Sequence, residues 1–150
     1  MNVFQARAVI RAKKEDVWGV FTDPRTWEEW YGGALLSVEP AWQAGAKLNW
    51  KMGPPSPVLE VVPLDRVVLG GGGFKTTWRF SDKGGDTLVE MEKDFRGGTL
   101  VVTNPSAQQR MADEEVAGLE KYVEKSFPAH AGSRAGTTSK AERKWHQFWK

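Results

Sequence analysis

The chain has 150 residues, of which 40% are hydrophobic and 27% charged, with a net charge of +2, the proportions of an ordinary globular domain. It contains no cysteine and only two histidines, His130 and His146, which excludes disulfides, thiolate nucleophiles and sulfur-ligated metal and argues against a histidine-built metal centre. No metal or cofactor is therefore expected, and acid–base chemistry would fall to Asp, Glu, Lys, Arg, Tyr or water.

Val3 to Ile10 alternates, with Phe4, Ala6, Ala8 and Ile10 on one face and Gln5 and Arg7 on the other, the pattern of a half-buried strand. Two short helices follow. Glu15 and Asp16 open the first, where negative charge suits free amides and the positive end of the dipole. Val17, Trp18 and Phe21 give it an apolar face. Pro24 ends that helix by disfavouring α geometry at Asp23, and Asp23-Pro24 starts the second as N-cap and first helical residue. Trp27, Trp30 and Tyr31 lie at helical spacing and Gly32-Gly33 stops the run.

After Gly33 the pattern becomes an antiparallel meander of short alternating runs: Leu35–Glu39, Lys47–Met52, Val58–Val62, Arg66–Leu69, Phe74–Phe80 and Asp86–Asp94. With the first strand this makes about seven. Leu100 to Thr103 reads either as a further short strand or as an extended lead-in. Gly70 to Gly73 precedes a strand and lacks the Gly-Lys-Ser/Thr of a phosphate loop, so it reads as a strand connection.

Ser106 to Phe127 is the one long helix, with Ala112, Val116, Leu119 and Val123 as its apolar stripe and Met111, Tyr122 and Phe127 beside it. Glu114, Glu115, Glu120, Lys121, Glu124 and Lys125 are assigned to its outer face. Pro128 stops it. Residues 128–138 read as a linker, and 139–150 as a short helix opened by the capping-box pattern Ser139-Lys140-Ala141-Glu142, with Ala141, Trp145, Phe148 and Trp149 on one face. From Pro128 onward five cations face Glu142 alone, so this segment carries +4 and the body −2. That distribution is not the footprint of a nucleic-acid-binding domain. The terminal helix suits docking onto its own domain or a second copy in a homodimer, with a membrane interface, a partner groove or nucleic-acid stacking as alternatives. No apolar run is long enough for an integral membrane span, the first residues lack a signal-peptide pattern, and a cytoplasmic location is expected.

One strand, two short helices, a run of antiparallel strands and a long closing helix is the element order of the α+β helix-grip fold. On this order the chain resembles the START/Bet v 1-like (SRPBCC) superfamily, and within it the branch related to the C-terminal domain of the activator of Hsp90 ATPase and to polyketide cyclases. The resemblance is carried by Ile10-Arg11-Ala12, Glu15-Asp16-Val17-Trp18, Phe21-Thr22-Asp23-Pro24 and Trp27-Glu28-Glu29-Trp30. It continues through Val58-Leu59-Glu60-Val61-Val62-Pro63, Asp65-Arg66-Val67, Thr77-Trp78-Arg79-Phe80 and Thr87-Leu88-Val89-Glu90. It covers residues 3 to 127, so the domain is drawn at 1–127. The Gly-Trp pair that usually opens the last helix of this branch is missing at Ala107 to Ala112, and the tail has no counterpart.

The resemblance implies a curved sheet around the long helix with a cavity between them. Trp50, Met52, Phe74, Trp78, Phe80 and Met91 from strands would then face Met111, Leu119 and Tyr122 from the helix, with Trp30 near the opening. Such a wall suits a small hydrophobic or aromatic ligand; equally, these side chains could simply fill the core. Glu60 is the one acidic candidate for the interior, as an acid or ligand anchor if desolvated, with a solvated or ion-paired strand residue as the alternative. Trp18, Trp27 and Trp30 read as anchors of the helix pair, leaving Trp30 and Tyr31 as ligand contacts. Three functions follow from the resemblance: a binder of a small hydrophobic ligand, a polyketide cyclase or dehydratase-like enzyme, and an Hsp90-activator-like interaction domain.

Overall fold

A computed structural model describes residues 2–71, 73–98 and 101–128. The expected linker beyond Pro128 and the expected terminal helix at 139–150 lie outside the described residues. The chain runs β1 (Val3–Ile10), α1 (Lys14–Phe21), a 3-10 turn (Pro24–Thr26), α2 (Trp27–Trp30), β2 (Leu35–Glu39), β3 (Lys47–Trp50), β4 (Ser56–Val62), β5 (Arg66–Leu69), β6 (Lys75–Lys83), β7 (Asp86–Asp94) and α3 (Pro105–Ser126). The seven strands form one antiparallel sheet in the order β1-β7-β6-β5-β4-β3-β2. The meander closes by bringing β1 beside β7, from Val3 opposite Asp94 to Ile10 opposite Thr87. This is the curved sheet and closing helix of the helix-grip fold.

Alternation divides the sheet. Phe4, Ala8 and Ile10 of β1, Trp78 and Phe80 of β6, and Val89 and Met91 of β7 are buried, whereas Gln5, Arg7 and Arg79 face solvent on the opposite side. α3 lies against β1 and β7, and α2 against α3. Asn104 caps α3 by accepting from the Ala107 amide at 3.1 Å, and Pro105 occupies a first-turn position where no amide is needed. Residues 101–104 carry no strand.

The helix pair is locked to the sheet by rings. Phe21 is fully buried and contacts Trp27, Trp78 and Phe80, each at a centroid distance of 5.2 Å, as well as Trp42 at 5.7 Å and Trp30 at 5.9 Å. The corner between α1 and the 3-10 turn is fixed by Thr22, whose hydroxyl donates to the Trp18 carbonyl at 2.8 Å, and by Asp23, which accepts from the Arg25 amide at 3.1 Å. Three indole N–H groups tie the same region together: Trp27 donates to the Phe21 carbonyl, Trp42 to the Thr22 carbonyl, and Trp30 to the Thr26 hydroxyl. Trp18 meets Phe80 edge-on at 5.4 Å. These tryptophans anchor two helices that are too short to be stable alone.

Several strand positions depart from the sequence reading: β4 begins two residues earlier, at Ser56, and β6 runs on to Lys83. β3 ends at Trp50, before the Gly53-Pro54-Pro55 break, so Met52 falls in the loop and is 84% exposed. β6 begins one residue after Phe74. β4 carries a register shift between Val58 and Glu60, which interrupts the alternation so that Leu59 and Glu60, two consecutive residues after buried Val58, are both exposed. No helix among the described residues is long and apolar enough to cross a membrane.

α3 approaches α2 at Gly118, where an added Cβ would run into the Trp30 carbonyl oxygen. In an open helix Gly→Ala gains about 1 kcal/mol. Here Gly118→Ala is expected to cost about 1–3 kcal/mol, because the backbone of α2 has to retreat. Urea denaturation checks this, and a variant as stable as the parent would mean that α2 is not held against α3.

Candidate functional site

The interior between sheet and helix is occupied by side chains. Trp27, Trp78, Phe80, Met91 and Leu119 are at most 2% exposed, and Trp30 stands edge-on to Trp78 at 5.7 Å. Open space lies instead at the mouth of the grip. A depression of about 300 Å³ between α2 and the first half of α3 is lined by Glu28, Glu29, Trp30, Tyr31, Gly32, Met111, Glu114 and Glu115. Its aromatic wall is continuous with the core: Tyr31 stacks on Trp50 at 5.7 Å and meets Trp27 at 4.9 Å. Gly32, at φ +92°, turns the chain sharply after α2.

Beneath this mouth lies a buried ion pair. Lys93 Nζ donates to Glu115 Oε2 at 2.9 Å, with the two side chains only 3% and 11% exposed. The same ammonium lies 5.9 Å from the centre of the Phe74 ring, which stacks on Phe95 at 4.5 Å. The second carboxylate oxygen, Glu115 Oε1, is buried and has no hydrogen-bond partner among the described residues. Burial raises the Glu115 carboxyl above its ordinary value; the Lys93 ammonium pulls it back, and neighbouring Glu114 adds to the rise. Burial, with a contribution from the Glu115 charge, also raises the Tyr31 phenol. One side of the mouth is therefore built on aromatic rings, with Trp30 only 5% exposed, and a desolvated acceptor lies sealed beneath its floor.

Three other depressions are less suited to chemistry, among them one of about 370 Å³ between β1 and the middle of α3. One of about 410 Å³ lies on the outer face of β1, β7 and β6, but its polar groups are exposed and already pair with one another: Gln5 donates to Glu92 at 2.9 Å, and Arg7 reaches Glu90 at 4.0 Å. Another, of about 320 Å³, lies between α1 and the end of α3. No cluster of three or more potential metal ligands occurs among the described residues.

Of the residues anticipated as a ligand wall, Trp30 and Met111 line the mouth. Trp50 is partly buried behind Tyr31, with its indole N–H on the Ser56 hydroxyl at 2.9 Å. Trp78, Phe80, Met91 and Leu119 lie in the packed core. Phe74 is beside Lys93, Tyr122 lines the depression near α1, and Met52 is in solvent. Met111 is 43% exposed, at the rim and not inside. Glu60 is turned outward and held by the Arg66 guanidinium at 3.0 and 3.1 Å, which lowers its carboxyl below the ordinary value. It has neither the burial nor the raised pKa of an interior acid.

The outer assignment of α3's acids requires correction. Glu115 and Glu120 are buried, and Glu124 is partly buried, accepting from the Arg11 amide at 2.9 Å. Positions 112, 115, 116, 119, 120 and 123 form the buried stripe of the helix, so helical spacing holds the two acids inside. Lys93 also escaped the sequence reading, although it extends the inward row Thr87, Val89 and Met91 by one more step of two.

The fold and the mouth together define a helix-grip domain with a small-molecule-sized opening. The chain belongs to the polyketide cyclase / dehydrase and lipid transport family, whose match spans residues 1–124. No curated protein sequence matches it. Among solved structures it is similar to protein CV1439 from Chromobacterium violaceum, at 18% identity and a TM-score of 0.64, covering 83% of this chain and 99% of that one. The dimeric Aha1 from Colwellia psychrerythraea is similar at 14% identity and a TM-score of 0.59, over 83% and 95% of the two chains. DynU16, from the dynemicin biosynthetic locus, is similar at 20% identity and a TM-score of 0.62, over 83% of this chain and 48% of its own.

The ion pair gives a stability test of the mouth. Lys93→Met leaves the Glu115 carboxylate buried without its cation and is expected to cost about 3–5 kcal/mol, whereas Lys93→Met/Glu115→Leu should recover most of that loss. Guanidinium unfolding of the three proteins measures it; a single-variant cost below about 1 kcal/mol would mean that water solvates the pair.

Proposed function

We propose that the protein binds a small hydrophobic or aromatic molecule at the mouth between α2 and α3, with the body of the ligand on Trp30 and Tyr31 and its polar end at Glu115. The observation that carries this reading is the meeting of two features. A depression of about 300 Å³ walled on one side by Trp30 and Tyr31 is at the lower end of small-molecule sites, and just beneath its surface Glu115 keeps one carboxylate oxygen, sealed from solvent, without a partner among the described residues. A polar atom without a partner in a desolvated place is costly, and a ligand that supplies the missing donor removes that cost. Membership of a family described as cyclases, dehydrases and lipid transporters supports a small-molecule site of this kind. The packed interior supports placing it at the mouth and not deep in the grip.

Native mass spectrometry of freshly purified protein is expected to show an adduct of small-molecule mass. Met111→Trp, a change at an exposed rim position, should fill the depression and weaken rebinding of the extracted molecule at least tenfold while leaving the unfolding midpoint unchanged. A parent protein without added mass, or a Met111→Trp variant that rebinds normally, would remove this reading.

A further inference from the structure

We propose that residues 139–150 dock on their own domain, seating the aromatic face of Trp145, Phe148 and Trp149 in the groove between α1 and the end of α3. This surface is separate from the mouth and does not depend on a ligand there.

The groove has a volume of about 320 Å³. Its apolar part is formed by Gly19, Val20, Tyr122 and Phe127, with Glu15 and Asp16 beside it. Gly19 follows Glu15 and Asp16 by one helical turn, and a Cβ added there would meet nothing within 4 Å, so α1 leaves a notch in this wall. Tyr122 and Phe127 are only half-buried and keep apolar surface for a partner. No lysine or arginine lines the groove; Lys13 and Lys14 precede its acids in sequence but stay outside it. Asp23, also in the lining, is held by Arg25 at 2.9 and 3.0 Å, whereas Glu15 and Asp16 enter no ion pair among the described residues.

Such a groove fits an apolar face bordered by positive charge, and the chain that leaves it carries one. Phe127, which lines the groove, departs from helical geometry at φ −125° and ψ 57°. Beyond it the sequence supplies Trp145, Phe148 and Trp149 at helical spacing, with Lys140, Arg143, Lys144 and Lys150 around them, a segment of +4 against a body of −2. A flexible linker over residues 128–138 spans about 17–20 Å. That is close to the about 18 Å of a helix over 139–150, so the helix can turn back and bring its aromatic end beside Phe127. Tethering gives an effective concentration on the order of millimolar, at which a modest contact area is enough. The mouth lies within the same reach but has less apolar surface for three rings, since Trp30 is 5% exposed. The depression on the outer sheet face is lined by Arg7 and Arg79, and the one beside the middle of α3 by Arg7, cations that repel the segment.

The sequence has no cysteine, so Gln147→Cys, off the aromatic face, takes a single nitroxide whose broadening of amide resonances is read by NMR in the full chain. Broadening at Gly19 and Tyr122 is expected to exceed that at Gly32 of the mouth and Glu90 of the outer sheet face at least threefold. Gly19→Lys places a like charge in the notch at an exposed helical position, where lysine favours the helix more than glycine does. It should cut the broadening at Tyr122 at least threefold without lowering the unfolding midpoint, and Trp145→Ala/Trp149→Ala should have the same effect on Tyr122. A mixture of nitroxide-bearing chains with isotope-labelled chains lacking the nitroxide should show no broadening, because the contact is made within one chain. Broadening that is strongest at the mouth or the outer face, uniform over the surface, or carried between chains in the mixture overturns the proposal. So does a Gly19→Lys protein that keeps the full effect.

Discussion

The arrangement depends on Phe21. Its ring is the point at which the two short helices, the loop bearing Trp42 and the central strand β6 meet, through contacts to Trp27, Trp30, Trp42, Trp78 and Phe80. A sheet that curls around a helix encloses more volume than the aliphatic side chains of one helix face fill, and some element has to occupy the remainder. Here α1 and α2 push aromatic rings into it. Each ring buries a large apolar area at the cost of few rotatable bonds, and the tilted and edge-on geometries add modest further stabilisation. The consequence for function is spatial: with the interior taken, usable space is moved outward to the seam between α2 and α3.

That seam is held by two dissimilar contacts. At Gly118 the helices touch backbone to backbone, with no room for a methyl group. A short way along the same helix, Glu115 reaches Lys93 on β7 and so ties α3 to the sheet through charge. Burying both ions costs several kcal/mol in desolvation, which their mutual attraction offsets only while the geometry is good. The pair therefore penalises any displacement of α3 that lengthens the contact. It also leaves one carboxylate oxygen over, which a purely apolar seam could not offer.

The strands were legible because alternation is a strong signal wherever one face is dry: β1, β2, β5 and β7 start and stop where their patterns do. Legibility failed where the period was interrupted or where a charge was read by its type and not by its position. The register shift in β4 made the face of Glu60 undecidable from Val58 and Leu59 alone. Met52 continued the parity of Leu48 and Trp50, but the strand had already ended. Lys93 had the right parity after Thr87, Val89 and Met91, and Glu115 the right helical spacing between Ala112 and Leu119; both were passed over because ionic side chains are seldom buried unless paired. Neither residue reveals a partner in sequence, since the two are 22 positions apart and only the antiparallel return of the chain joins them. Whether the aromatic set bounds a void or fills it was likewise undecidable, because alternation gives direction but not volume.

Similarity at 14% to 20% identity, as among these solved structures, preserves the path of the backbone and little else, and on such a scaffold function is set by the local side chains. In this chain the helix-grip interior is filled largely by rings. A domain that keeps its interior open selects ligands mainly by shape and apolar area, terms that discriminate weakly between similar molecules. A domain that fills it and leaves a shallow mouth has little apolar area to offer a ligand, so selection has to come from polar groups. Filling the core with Phe21 and its neighbours and burying the Lys93–Glu115 pair beside them are in this sense one structural solution, the first occupying the interior and the second fixing α3 against the sheet at the edge of what space remains.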